Sequence, residues 1–195
     1  YIFEISGTGE WLLDTSTSVD GFDSVGSSNI RDDGSATFST TITGPGLSTF
    51  AWKVSSEEGY DFLSVSLDGK EQSSISGEVD WTETDIIIPE GDHTVSWTYE
   101  KDFLDTIGSD KGWVDHLRFT PGNFSRTLEE ALDNPGLVWT SGGDDQWSGQ
   151  VHVSLDDEDS AQTGNINNNE TSILQIELEG PGTFSFYYRV SSEED

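Results

Sequence analysis

The chain of 195 residues contains no cysteine and no methionine. Disulfides, thiolate metal sites and cysteine nucleophiles are thereby excluded. Basic residues are scarce: 8 Lys+Arg stand against 38 Asp+Glu, a formal net charge of −30 with histidine neutral. That balance excludes a phosphate-binding face over most of the surface, and with it nucleic acid as a partner. No run of 18 apolar residues occurs and no signal-like pattern opens the chain, so no membrane insertion is expected. The first residues, YIFEISGTGEW, read as the inside of a strand, so the start is expected not to be the natural one, and a strand can precede it. No phosphate loop, G-x-S-x-G elbow, H-E-x-x-H helix or complete EF-hand loop is present. His93, His116 and His152 stand far apart along the sequence, as solvated or hydrogen-bonding side chains rather than ligands.

Against these absences stand 22 aromatic residues (7 Trp, 5 Tyr, 10 Phe), too many for a solvated acidic tail. The chain should fold. Self-repulsion of so many carboxylates is relieved by high ionic strength or by bound divalent cations, which points to an extracellular or cell-surface setting rich in calcium.

The sequence also repeats itself. GPGLSTFAWKVSSEE, from Gly44, returns as GPGTFSFYYRVSSEE, from Gly180, an offset of 136 residues. Carried back without gaps, the offset places Trp11 on Trp147, Asp20 on Asp156, Asp23 on Asp159 and Ile30 on Ile166. Residues 3–59 against 139–195 give 17 identities in 57 pairs. Apolar residues keep period two in both copies (Phe38, Thr40, Ile42 on Leu174, Ile176, Leu178; Phe50, Trp52, Val54 on Phe186, Tyr188, Val190), the mark of half-buried strands. The first half of the unit is thus present twice and the second half once. A piece of a longer tandem array is expected, its partners being neighbouring repeat units or other copies of the same chain.

Further short alternating runs, FLSVSLDGK, TDIIIPEGD, HTVSWTY and GWVDHLRF, are separated by Gly, Asp and Ser turns. The fold class read from them is all-β, an antiparallel jelly-roll β-sandwich: one near-complete unit over 1–121, then the first half of the next over 122–195. Helical signal is confined to RTLEEALDN, with Ser125 as the expected N-cap and Leu128, Ala131 and Leu132 on one face.

The block LEEALDNPGLVWTSGGDDQW, the run GPGxxxFxxxVSSEEGYDFLSVSLDG, SGEVDW, PEGDHTVSWTY and GSDKGWVDHLRF together resemble the jelly-roll modules, similar to concanavalin A-like lectins and MAM domains, that recur in large secreted bacterial proteins. The resemblance implies a multi-domain, extracellular context with matrix or ligand contacts. It also implies a structural calcium where the first and last strands meet.

Strict alternation in GWVDHLRF puts Trp113, Asp115, Leu117 and Phe119 on one face, so Asp115 is expected to point inward with Phe119. A carboxylate there needs a cation, and Ca²⁺ is more available than one of eight basic side chains. Asp20 and Asp23 in SVDGFD and Asp110 in GSDKG are the candidate co-ligands; the second copy keeps Asp156 and Asp159 as counterparts of the first two and adds Asp157. Amide capping of a turn is the alternative for such an aspartate. Glu57, Glu58 and Asp61 in VSSEEGYDF, repeated in VSSEED, form a second candidate metal or ligand site.

Trp11, Trp81, Trp113 and Trp147 lie near turns and are the candidates for an exposed glycan-stacking platform, whereas Phe50, Trp52, Trp97 and Tyr99 alternate as core residues do. The trio Glu78, Asp80, Glu83 resembles that of retaining β-glucanases on a jelly roll, but residues five apart in a regular strand point to opposite faces. The leading reading is therefore a non-catalytic, calcium-stiffened extracellular repeat of an adhesin, stalk or filament, with a carbohydrate-binding module as the alternative and a glycosidase the third.

Overall fold

The period-two segments become strands, and the longest of them bend through both layers of a sandwich. The computed structural model describes residues 1–151, 153–156 and 158–191, in two units that divide between Phe124 and Ser125, three residues beyond the expected boundary.

The first unit holds β1 (Phe3–Gly7), β2 (Trp11–Asp14), β3 (Ser24–Ser27), β4 (Ser35–Ser55), β5 (Phe62–Leu67), β6 (Lys70–Ser76), β7 (Glu78–Glu100) and β8 (Lys111–Pro121), all paired antiparallel. TDIIIPEGD and HTVSWTY, read as two strands, are one continuous β7. Its 91–100 portion and the 35–44 portion of β4 lie in one layer, ordered β1-β4-β7-β5-β6. After a register shift between Gly44 and Gly46, the 46–55 portion of β4 joins the other layer, ordered β7-β4-β8-β3-β2. A Cβ on Gly46 would fall 2.3 Å from the Phe119 ring, so this corner needs glycine.

Because side chains alternate, each layer turns one row inward. Ala36, Phe38, Leu63, Val65, Val95, Trp97 and Tyr99 come from one layer, and Phe50, Trp52, Val54, Ile86, Ile88 and Val114 from the other; all are buried. The layers meet where the Phe50 ring stands edge-on to Trp97, centroids 5.2 Å apart at 89°. Such contacts add about 0.5–1.5 kcal/mol to the area buried.

In the second unit Thr127, not Ser125, caps the short helix α1 (Leu128–Ala131). Thr127 accepts from the Glu130 N–H while the Glu130 carboxylate accepts from the Thr127 N–H, a reciprocal box that Ser125, with Leu128 three residues on, cannot form. Among the described residues four strands follow: β9 (Trp139–Gly143), β10 (Ser148–Gln150), β11 (Ser160–Gln162) and β12 (Ser172–Ile176). Their pairing reproduces the first unit at the offset found in the sequence. Phe3↔Thr40 through Gly7↔Ala36 become Trp139↔Ile176 through Gly143↔Ser172, and Leu12↔Gly26 becomes Ser148↔Gln162. The Thr8 N–H donates to the Ser35 carbonyl, and the Asp144 N–H to the Thr171 carbonyl. Gly7 and Gly143 both take a left-handed φ, +100° and +97°, beside those same carbonyls.

The likeness stops at burial. Phe50 and Trp52 are 0% and 2% exposed, whereas their counterparts Phe186 and Tyr188 are 68% and 82% exposed. In the first unit these positions are flanked by β7 and β8, which have no counterpart in residues 125–195. Among the described residues no strand forms after Ile176. No helix among them is long and apolar enough to cross a membrane.

Candidate functional site

Two carboxylate groups are built at the ends of the first sandwich. The first involves Asp115, whose side chain does not point into the core. Trp52 pairs with Val114 and Ala51 with Asp115, whereas Ser48 pairs with Phe119, so the phase of β8 slips between Asp115 and Phe119. His116, with a left-handed φ of 54°, is the extra residue. This bulge keeps Val114, Leu117 and Phe119 against the core and swings Asp115 outward. There its Oδ2 accepts the Val19 N–H at 2.9 Å and its Oδ1 the His116 N–H at 2.6 Å. Asp20, in the same loop as Val19, approaches from the other side. Its Oδ2 lies 3.5 Å from His116 Nε2, while its Oδ1 caps a turn by accepting from the Phe22 N–H. One donor atom each from Asp20, Asp115 and His116 lies within 4.8 Å of the others. The expected pair Asp20 and Asp115 is thus brought together, with amides on both Asp115 oxygens and an imidazole that strand alternation had placed on the opposite face. Asp23 stands exposed outside this group.

Asp110 belongs to the second group. Lys101, 3% exposed, continues the inward row of Val95, Trp97 and Tyr99, and its Nζ donates to Asp110 Oδ2, to Asp32 Oδ1 at 3.1 Å and to Thr106. Burial works against the ammonium, but Asp110 and Asp32 outweigh it and hold its pKa above the ordinary lysine value. Tyr99 donates to Asp110 at 3.0 Å, and burial followed by that carboxylate pushes the phenol well up.

Asp61 continues the inward row of Leu63 and Val65 in the neighbouring strand. It is 0% exposed; its Oδ1 accepts the Asp102 N–H at 3.0 Å and its Oδ2 has no hydrogen-bond partner. Glu57, four residues earlier, likewise buries an unpartnered Oε2. Burial raises the pKa of both; at Glu57 the nearby Asp105, Asp102 and Asp61 carboxylates add to the rise. Glu58 is exposed.

The glucanase-like trio does not converge. A bulge at residues 80–81 puts Glu78 and Glu83 on one face, opposite Ser55 and Ala51. Four residues of strand separate them by roughly 13 Å, against about 5–5.5 Å for a retaining pair and about 6.5–9.5 Å for an inverting one. Glu78 accepts from Ser55 at 2.7 Å, and Asp80 is paired with Lys53 at 2.8 Å.

Nor do the four tryptophans form a platform. Trp11 is in the core, 4.6 Å from Phe38 between ring centroids. Trp113 is buried against Gly26, 6% exposed, with Nε1 donating to Asp14 at 2.9 Å. Trp81 is half-buried and donates to Thr17, and Trp147 is half-buried. Exposed rings of the first unit include Phe22, in the Asp20 loop, and Tyr60 and Phe103, which lie on the two loops joined by the bond from Asp102 to Asp61.

In the second unit Asp156 Oδ1 accepts from the Glu158 N–H, as Asp20 does from Phe22, and Asp159 is paired with Arg126 at 3.1 Å. Asp157, His152 and residues 192–195 lie outside the described residues.

No protein-family model matches the chain, and no curated protein does. Among solved structures, the secreted serine protease VesC of Vibrio cholerae superposes with a TM-score of 0.47 at 15% identity, over 50% of this chain and 21% of that one. A carbohydrate-binding module of the β-sandwich superfamily gives 0.47 and 13%, over 60% and 56%. The K3 cleaved adhesin domain of Lys-gingipain from Porphyromonas gingivalis gives 0.44 and 13%, over 62% and 91%. The chain spans about a fifth of the first of these and just over half of the second. The fold assignment rests on the chain's own strand register.

Proposed function

We propose that this chain is a non-catalytic, extracellular β-sandwich module that works as one link of a tandem array, in an adhesin, stalk or surface filament, with calcium stiffening the link at Asp20 and Asp115. One observation carries the reading: the pairing of β9 with β12 and of β10 with β11 repeats the first unit residue for residue at an offset of 136, while the core-equivalent Phe186 and Tyr188 remain uncovered. In the first unit the equivalent row is covered by β7 and β8, the second half of the same repeat, and segments equivalent to these would cover Phe186 and Tyr188 in a tandem array. The acid excess supports a calcium-rich exterior, and the separation of Glu78 from Glu83 speaks against hydrolysis of glycosides.

The test is a fusion in which residues 60–121 are appended after Asp195. The amides of residues 172–190 should become strongly protected from hydrogen exchange. Exchange there as fast as in the parent chain refutes the array. For calcium, chelator should lower the melting temperature of the wild type, and Asp115→Asn should shrink that fall.

A glycan-binding role has its own support in the exposed Tyr60 and Phe103 rings, which can stack on sugar faces. Retention on a glycan array that Tyr60→Ala abolishes would favour it over a purely mechanical link.

A further inference from the structure

The strongest unexplained feature of the first unit is the pair of orphaned carboxylate oxygens in the turn between β4 and β5. Asp61 is wholly buried, and its free Oδ2 has neither a donor nor water access. Glu57 Oε2 is the second such atom, and the two residues lie one turn apart, with the Asp61 N–H donating to the Glu57 carbonyl at 3.1 Å. Nothing about the turn is loose. Ser56 Oγ donates to the Asp61 carbonyl, Ser76 Oγ donates to the Glu57 carbonyl, and the Gly59 N–H donates to Ser76. The carboxylates are therefore held in place rather than caught on the way to solvent.

A buried ionised carboxylate without a partner costs several kcal/mol, and it is kept only where something compensates it. Lys101 is the nearby cation and its charge favours both carboxylates, but its ammonium donates to Asp110, Asp32 and Thr106 and to neither of them. Asp102 and Asp105 add negative charge beside Glu57. The surroundings thus offer fixed anionic oxygens, no nitrogen or sulfur donor among the groups described, and a deficit of positive charge.

We propose that Glu57 Oε2 and Asp61 Oδ2 bind a divalent cation, calcium by its chemistry, at a site separate from the Asp20, Asp115 and His116 group. Hard oxygen donors on tightly bonded turns suit Ca²⁺, which takes six to eight oxygens, better than metals that favour nitrogen or sulfur. The ion would hold the turn 56–61 to the 101–110 loop, where the Asp102 N–H already reaches Asp61, and would fix the spacing of Tyr60 and Phe103 on those loops.

The whole 195-residue chain, stripped with chelator, is titrated with Ca²⁺ alone by calorimetry and thermal melting, and with Tb³⁺ by emission sensitised through nearby tyrosine. Wild-type protein should bind Ca²⁺ saturably with a rise in melting temperature. Glu57→Gln and Asp61→Asn should each weaken that binding at least tenfold, while Asp115→Asn retains it. Without calcium, Asp61→Asn should melt no lower than wild type, because the amide removes an uncompensated charge; near-UV circular dichroism checks that it is folded. Wild-type protein that ignores Ca²⁺ overturns the site, and so does binding that survives both turn variants or is lost only in Asp115→Asn. Each of those results leaves the tandem-array reading standing, since the fusion tests that independently.

Discussion

Phe50 and Phe186 share one letter and one place in the repeat, yet the structure assigns them opposite energetics. Phe50 is fully buried, with its ring edge-on to Trp97 at 5.2 Å and to Trp52 at 5.5 Å. Phe50→Ala removes that ring from a close-packed site between two buried indoles. The expected loss is about 4 kcal/mol, within the roughly 3–5 kcal/mol usual for Phe→Ala in a core. With a urea m-value of about 1.5 kcal/mol/M, the unfolding midpoint of the first unit should fall by roughly 2–3 M. Phe186, two-thirds exposed, touches only its neighbours Phe184 and Tyr188 among rings, at 5.7 and 6.2 Å. Phe186→Ala should stay within about 0.5 kcal/mol of wild type. The assay is equilibrium urea unfolding followed by tryptophan fluorescence on the same chain carrying one change or the other. Equal midpoint shifts would refute the claim that the second unit holds a sandwich face without its cover.

Gly26→Ala should cost about 1–3 kcal/mol and shift tryptophan emission, because the new Cβ would lie 2.8 Å from Trp113 Cδ1 and the indole is pinned by its bond to Asp14. Unchanged stability would mean the ring is not fixed there. Lys101→Met should be more damaging, about 3–5 kcal/mol, since Asp110 would be left as a largely buried charge without its ammonium; a melting temperature near wild type would refute the network. The pair His93 and Asp68, 2.7 Å apart, gives a pH test. Asp68 raises the His93 pKa above its ordinary 6.5, and His93 lowers that of Asp68 below 3.8. The histidine's contribution is present in full below pH 6.5 and fades as pH rises through its raised value. The aspartate's is present above pH 3.8 and fades as pH falls through its lowered value. The stability gap between wild type and His93→Gln should therefore be widest between those limits and narrow toward pH 8. A gap independent of pH from 5 to 8 would refute the ion pair.

What the sequence disclosed followed from regularity, and what it concealed followed from departures of a single residue. The period-two rows and the 136-residue echo located the strands, the core Phe50, Trp52, Trp97 and Tyr99, and the second half-unit, because burial on one face of a sheet constrains every other residue alike. Strict alternation turns Asp115 inward, whereas one left-handed residue, His116, reverses the parity of the strand and turns it outward, and histidine does not announce a bulge as glycine does. The association of Asp20 with Asp115 was legible even so, since loop and strand end meet whichever way the carboxylate turns. Asp110 went to a different neighbour because the 101–110 loop folds back on the core end of β7. Proximity to turns predicts exposed rings at Trp11 and Trp113, yet a large ring beside Phe38 or Gly26 finds a buried seat that turn proximity does not reveal. Two signals were available and more informative than the acid count: Lys101 continues the inward parity of Val95, Trp97 and Tyr99, and Asp61 that of Leu63 and Val65. A charged residue that extends a buried row must be compensated inside the protein. Lys101 is, by Asp32 and Asp110, whereas Asp61 keeps one oxygen bare. That asymmetry at the end of one sheet is why we propose the turn between β4 and β5, in addition to the Asp20 and Asp115 group, as a second place where a cation would change the protein's stability.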